Sequence, residues 1–140
     1  MNVETRRWLA FAQEDLRTAE LVLTEEIYNQ VCFHAQQAVE KTLKGFLLHR
    51  DGSTPRTHSI ADLLRLLSVS WFTEITTGLN RMDSYYTPTR YPDAPPGSLP
   101  EGMPDLSDAQ EALETAQEVY RLTLLAFEQN TSETDEPSDA

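Results

Sequence analysis

The chain has 140 residues, with one cysteine, 11 basic and 23 acidic residues and a net charge of −12. This length suits one domain with a hydrophobic core, and a single cysteine excludes an internal disulfide and an all-cysteine metal site. An apolar run of about 18 residues, as a membrane span needs, does not occur, and the charged N-terminus lacks the apolar centre of a signal peptide, so we expect a cytoplasmic protein.

The negative charge is concentrated in the second part of the chain. Residues 1–90 hold 10 basic and 11 acidic residues, a sum of −1, whereas residues 91–140 hold 1 basic and 12 acidic residues, a sum of −11. Sequence-independent binding of nucleic acid depends on clustered cations that face phosphates. We therefore expect any contact with a nucleotide or RNA to use residues 1–90.

Apolar residues recur with helical spacing over most of the chain. The pattern predicts five helical segments, which cover about residues 3–24, 27–50, 59–67, 71–85 and 107–129. Ser59 is the expected N-cap of the third segment. Because no stretch alternates with period two, the sequence predicts an all-α fold, an antiparallel up-down bundle of four to five helices over residues 1–130. Residues 131–140, "TSETDEPSDA", are expected to form a disordered acidic tail.

Two polar residues interrupt the apolar arcs of the first two helices. Asp15 lies at the edge of the first arc, where an ionised carboxylate needs a partner, and a lysine of the second helix is the favoured one. Gln36 points into the second arc, where its amide must find hydrogen bonds from a neighbouring backbone or a dimer contact. Both are therefore predicted to be structural polar residues.

The second helix also carries a polar side, which consists of His34, Gln37, Lys41 and Lys44. A solvated surface and a partly covered binding surface both fit this pattern. His58 follows "TPRT" at the start of the third helix, where the helix field disfavours its positive form, so a neutral hydrogen-bonding histidine is expected. A role in loop packing and a role in ligand binding are both open for His58.

Known catalytic and metal-binding patterns do not occur in the sequence. The histidines lack metal-ligand spacing, the glycines form no phosphate-binding loop, and the lone cysteine lies in an apolar stripe. The sequence therefore predicts no metal site, and spacing alone identifies no catalytic residue.

The stretch "YYTPTRYPDAPPGS", residues 85–98, is unusual for a connector because it is stiff, aromatic and charged. Arg90 offers a planar fork for a phosphate or a carboxylate, Tyr91 can stack on a base, and prolines restrict the backbone on both sides. Asp93 either holds Arg90 in place or accepts hydrogen bonds from a base or ribose. The sequence leaves open whether Arg90 bonds to Asp93 or to a ligand.

Three stretches together resemble the HEPN domain family, whose name refers to nucleotide binding in higher eukaryotes and prokaryotes. They are "AFAQEDLRTAELVL", "FHAQQAVEKTLKGFLLHRDGSTPRTHSIADLL" and "YYTPTRYPDAPPGSLPE". The resemblance implies an antiparallel helical bundle, frequent homodimerisation, and a polar pocket for a nucleotide or for nucleic acid such as RNA. We expect no cofactor, and ATP or GTP is the candidate nucleotide ligand. It also implies a minimal nucleotidyltransferase as partner, in a toxin–antitoxin module or a two-part nucleotidyl-transfer system.

The sequence departs from the ribonuclease members of that family. Many of those members carry an Arg-x4-6-His motif. In this sequence no arginine precedes any of the three histidines at that spacing. The favoured hypothesis is therefore a noncatalytic binding module that uses the candidate set Gln37, Lys41, Lys44, His58, Arg90, Tyr91 and Asp93. A divergent metal-independent ribonuclease toxin and a purely structural dimeric subunit are the alternatives.

Overall fold

The computed structural model describes residues 1–86, 95–99 and 102–135, with side chains as far as residue 129. Its helices are α1 (Val3–Thr24), α2 (Tyr28–Asp51), α3 (Ile60–Leu67), α4 (Thr76–Arg81) and α5 (Leu106–Asp135), and 3-10 turns over Thr73–Ile75 and Met82–Tyr85 flank α4. No strand occurs in these ranges. The predicted all-α helical bundle is thus confirmed.

Local sequence signals set the helix ends. The Asn2 side chain accepts a hydrogen bond from the Thr5 backbone N–H at 2.7 Å and so begins α1. Ser59 caps α3 as predicted, because its hydroxyl accepts from the Asp62 N–H at 3.2 Å. At the end of α2, Gly52 has a φ of 84°, a left-handed conformation that glycine adopts without steric cost.

The helix α2 is the centre of the bundle, packed between α1 and α5. Its inward residues are fully buried, namely Val31, Cys32, Ala35, Val39 and Leu43. Close approach to α1 depends on Gly45, since a Cβ there would lie 3.1 Å from the Trp8 Cβ. The burial of α2 on two sides explains why polar residues on this helix must find partners inside the protein.

The segment after α4 is attached to the start of α3 by one carboxylate. Asp83 accepts hydrogen bonds from the backbone N–H groups of Ile60 at 2.5 Å and Ala61 at 3.1 Å, and from the Ser59 hydroxyl at 3.0 Å. Unpaired N–H groups at a helix N-terminus favour such an acceptor. This attachment brings residue 86 next to the loop that precedes α3.

The last helix is longer than its apolar pattern predicts. It begins at Leu106 and continues to Asp135, beyond the expected end near residue 129. Residues 136–140 lie outside the described ranges, so the division of the chain at residue 130 stays a prediction. Within the described part, no helix combines the length and apolarity that crossing a membrane requires.

Candidate functional site

The polar side of α2 contains a partly buried ion pair with α1. Asp15 of α1 is 7% exposed and accepts hydrogen bonds from the Lys41 Nζ at 2.5 Å and from the His34 Nδ1 at 2.8 Å. The partner of Asp15 is thus a lysine of the second helix, the kind of partner that the sequence favours. Lys41 also lies 6.0 Å from the centroid of the Phe11 ring.

A second carboxylate–lysine pair lies one turn further along α2. Glu40 and Lys44 are 4% and 6% exposed, and the Lys44 Nζ donates to the Glu40 Oε2 at 3.1 Å. The Lys44 Nζ lies 5.7 Å from the centroid of the Trp8 ring. An aromatic residue of α1 therefore lies against each lysine. The charge of each lysine is already balanced by a carboxylate of the same chain.

Glu40 also contacts the histidine of the neighbouring loop. The His58 Nδ1 lies 3.3 Å from both carboxylate oxygens of Glu40, and the His58 side chain is 59% exposed. One face of the His58 ring stacks on Tyr86, with centroids 4.8 Å apart and planes inclined by 19°. Tyr86 is the last residue described before residues 87–94. His58 and Tyr86 thus form an aromatic pair at the protein surface.

One side-chain amide binds the backbone of the same histidine, and a second amide binds the first. The Gln36 Nε2 donates to the His58 carbonyl at 3.2 Å, and the Gln37 Nε2 donates to the Gln36 Oε1 at 2.7 Å. Gln36 is fully buried, so this hydrogen bond satisfies an amide that cannot reach water. The partner of Gln36 is a neighbouring backbone carbonyl of the same chain.

Arg81, Cys32 and Tyr85 are titratable groups of the described part that lie outside this cluster. Arg81 donates to Asp108 at 2.7 Å and to Glu111 at 3.0 Å, and the side-chain hydrogen bond with Asp108 raises the pKa of the guanidinium. Burial raises the pKa of the Cys32 thiol to about 12, and burial likewise raises the pKa of Tyr85. These groups fix the bundle and offer neither a free cation nor a nucleophile.

The chain is similar to known proteins in sequence and in fold. The model of the HEPN domain matches residues 5–126. The chain belongs to the HEPN domain family. It is 28% identical over 122 residues to "Putative toxin MJ1304" of Methanocaldococcus jannaschii. The matched region covers 79% of this chain and 80% of that protein.

Two solved structures share the fold of this HEPN chain. TT1696 from Thermus thermophilus is 36% identical, covers 88% of this chain and 97% of its own length, and superposes with a TM-score of 0.68. ST0689, described as an archaeal HEPN homologue, is 31% identical, covers 85% and 93%, and superposes with a TM-score of 0.65. The predicted family and its helical bundle are both confirmed.

The HEPN bundle brings some of the predicted site residues together and separates others. His58 and Lys44 meet through Glu40, Gln37 joins them through Gln36, and Lys41 belongs to the separate pair with Asp15. The loop candidates Arg90, Tyr91 and Asp93 lie outside the described residues. Their roles, and the choice between an internal and a ligand partner for Arg90, stay predictions.

Sequence reasoning gave no site role to Glu40 and did not select Tyr86 among the tyrosines. Glu40 is four residues after Gln36 on the same buried side of α2, which was the available signal for a second buried polar contact. The position of Tyr86 against His58 had no such signal, because the two residues are 28 positions apart and meet only through the attachment at Asp83.

Proposed function

We propose that this HEPN protein is a noncatalytic module that binds a nucleotide or nucleic acid and acts with a minimal nucleotidyltransferase. The observation that carries the proposal is the stack of the exposed His58 on the partly buried Tyr86, which presents an aromatic surface directly before the segment that contains Arg90 and Tyr91. Aromatic surfaces bind bases by stacking, and an arginine fork binds phosphate.

The distribution of cations supports a small binding site rather than a broad nucleic-acid surface. Among the lysines and arginines that the structure describes, only Arg6, Arg7 and Arg56 lack an ion pair with a carboxylate. Arg56 is exposed and precedes His58 by two residues. Because strong binding of long nucleic acids needs many phosphate contacts, a mononucleotide or a short single strand is the better-matched ligand.

Calorimetric titration of the purified protein tests this proposal. We expect ATP, GTP or a short single-stranded RNA to bind, and His58→Ala to weaken binding because the stacking surface is lost. His34→Ala is the matched control, since His34 contacts a buried carboxylate of the other pair. Absence of heat with all three ligands, from a folded protein, would refute nucleotide binding and favour the structural-subunit alternative.

The proposed partner and assembly state follow from the family and from the charge of the chain. A homodimer is expected, and light scattering measures it directly. The acidic α5 suits a partner with a basic surface. Co-expression with the product of a neighbouring gene that encodes a minimal nucleotidyltransferase should yield a complex that weakens as salt is raised, whereas independent elution at low salt would contradict the partnership.

A second candidate function, a divergent ribonuclease toxin, is favoured by one observation. A buried carboxylate next to His58 is an arrangement that can orient a histidine for proton transfer, and the relative from Methanocaldococcus jannaschii carries the name of a toxin. Under this alternative, expression arrests growth and cleaves RNA, and both His58→Ala and Arg90→Ala abolish the effect while the helical content is retained. Intact RNA in cells that grow normally would exclude it.

A further inference from the structure

Three buried polar residues form a chain of contacts that ends at one exposed histidine. His58 is 59% exposed in its side chain, yet Gln36, Glu40 and Lys44 beneath it are 0%, 4% and 6% exposed. Burial of polar groups costs free energy unless each is hydrogen-bonded. Packing of the core does not require that such groups orient a ring at the surface. The arrangement therefore indicates that the orientation of the His58 ring matters.

The contacts determine how the ring is presented. A carboxylate only accepts hydrogen bonds, so the contact with Glu40 places a hydrogen on the His58 Nδ1. The Lys44 Nζ donates to the Glu40 Oε2 at 3.1 Å, and the Gln36 Nε2 donates to the His58 carbonyl. The ring is thus restrained in its position, its rotation and its tautomer.

Among the residues that the structure describes, none binds the second face or the second nitrogen of the ring. Tyr86 covers the first face, and no described residue contacts the second face with an aromatic ring or a hydrogen bond to Nε2. A base that stacks on the second face would continue a parallel column begun by Tyr86 and His58. Nε2 at the ring edge would meet the polar groups of that ligand, and the exposed Arg56 lies two residues before His58.

We propose that Glu40 is the positioning residue of a nucleobase site on the open face of His58. The inference rests on the proposed function and deepens it, because it names the part of the ligand that is recognised and the residue that prepares the surface. Stacking on the His58 ring would recognise the base of a free nucleotide and the base of a single-stranded RNA alike. Titrations with ATP and with oligoadenylate distinguish these two sources.

The test removes the ion pair of Glu40 and Lys44 and leaves no unpaired charge in the core. Glu40→Met/Lys44→Met replaces a buried ion pair with apolar side chains of similar length, a change that proteins often tolerate. We expect its affinity for ATP to fall about fivefold or more, the lower end of what base stacking contributes, while inorganic tripolyphosphate, which has no base, binds as in the wild type. If this variant loses affinity for oligoadenylate but not for ATP, the recognised base belongs to RNA rather than to a free nucleotide.

A spectroscopic readout separates positioning from simple structural support. Nitrogen chemical shifts of the His58 ring should report a hydrogen on Nδ1 in the wild type and the loss of that signature in Glu40→Met/Lys44→Met. The matched control is His34→Ala, which removes the other histidine that contacts a buried carboxylate and should leave the His58 tautomer and ATP affinity unchanged. His58→Ala, an exposed substitution, should reproduce the selective loss of ATP in a protein that folds normally.

The possible outcomes are distinguishable. If the wild type binds none of ATP, GTP and oligoadenylate, both nucleotide binding and this inference are wrong. If the wild type binds them and Glu40→Met/Lys44→Met binds them equally well, or if the His58 tautomer does not change, only the positioning role is wrong. Equal losses of ATP and tripolyphosphate would also overturn it, because they would indicate a phosphate site rather than a base site.

Discussion

Lys44→Met should destabilise the protein because it leaves the Glu40 carboxylate buried without its lysine. Glu40 is 4% exposed and Lys44 donates to it at 3.1 Å. Removing one partner of a buried ion pair costs about 3–5 kcal/mol, and since His58 still lies 3.3 Å from the same carboxylate we expect about 3 kcal/mol. For a chain of this size, that loss lowers the melting temperature by about 10 °C.

Urea denaturation followed by circular dichroism measures this change as a difference in the free energy of unfolding. Glu40→Met/Lys44→Met is the control, because it removes both charges and should recover most of the stability. If Lys44→Met unfolds within about 0.5 kcal/mol of the wild type, the size expected of an exposed substitution, then Glu40 and Lys44 are not a desolvated pair and the reasoning about the site is wrong.

Two further predictions concern the contact between α4 and α5 and the dependence of stability on pH. Gly78→Ala should cost about 1–3 kcal/mol in urea denaturation, because the new Cβ would lie 2.0 Å from the Thr115 Oγ1, and Thr115→Ala in the same protein should recover part of the loss. The backbone hydrogen bond from Asp105 lowers the pKa of Asp108, so its contribution to stability is present above the ordinary carboxyl pKa and is lost as the pH falls through the lowered pKa. Asp108→Asn should therefore flatten the acid limb of the stability profile, and an unchanged limb would contradict the assignment.

Much of the helical framework was predictable because its signals are local. The apolar repeat of the second helix identifies Val31, Ala35, Val39 and Leu43, all of which are fully buried. The Ser59 cap depends on a residue only three positions away. The irregular pattern near residues 71–85 likewise corresponds to one short helix between two 3-10 turns. The end of α5 was less predictable, because helix ends depend weakly on apolar spacing.

The candidate site was only partly predictable because its contacts join distant segments. The sequence indicated that Asp15 and Gln36 need partners, and the positions of helices and loops decided that those partners are Lys41 of another helix and the His58 backbone. A side chain on one face of a helix meets whatever the neighbouring element presents, and helix spacing does not contain that information.

By itself, the sequence determined the helical class of this protein, its family and the residues whose polarity conflicts with burial, because periodicity, capping and motif order are properties of short segments. Only the tertiary structure decided that Glu40 lies beneath His58 and that Tyr86 stacks on it. Those contacts depend on how α2 packs and on the attachment of Asp83 to the start of α3, which are formed by residues far apart in the chain.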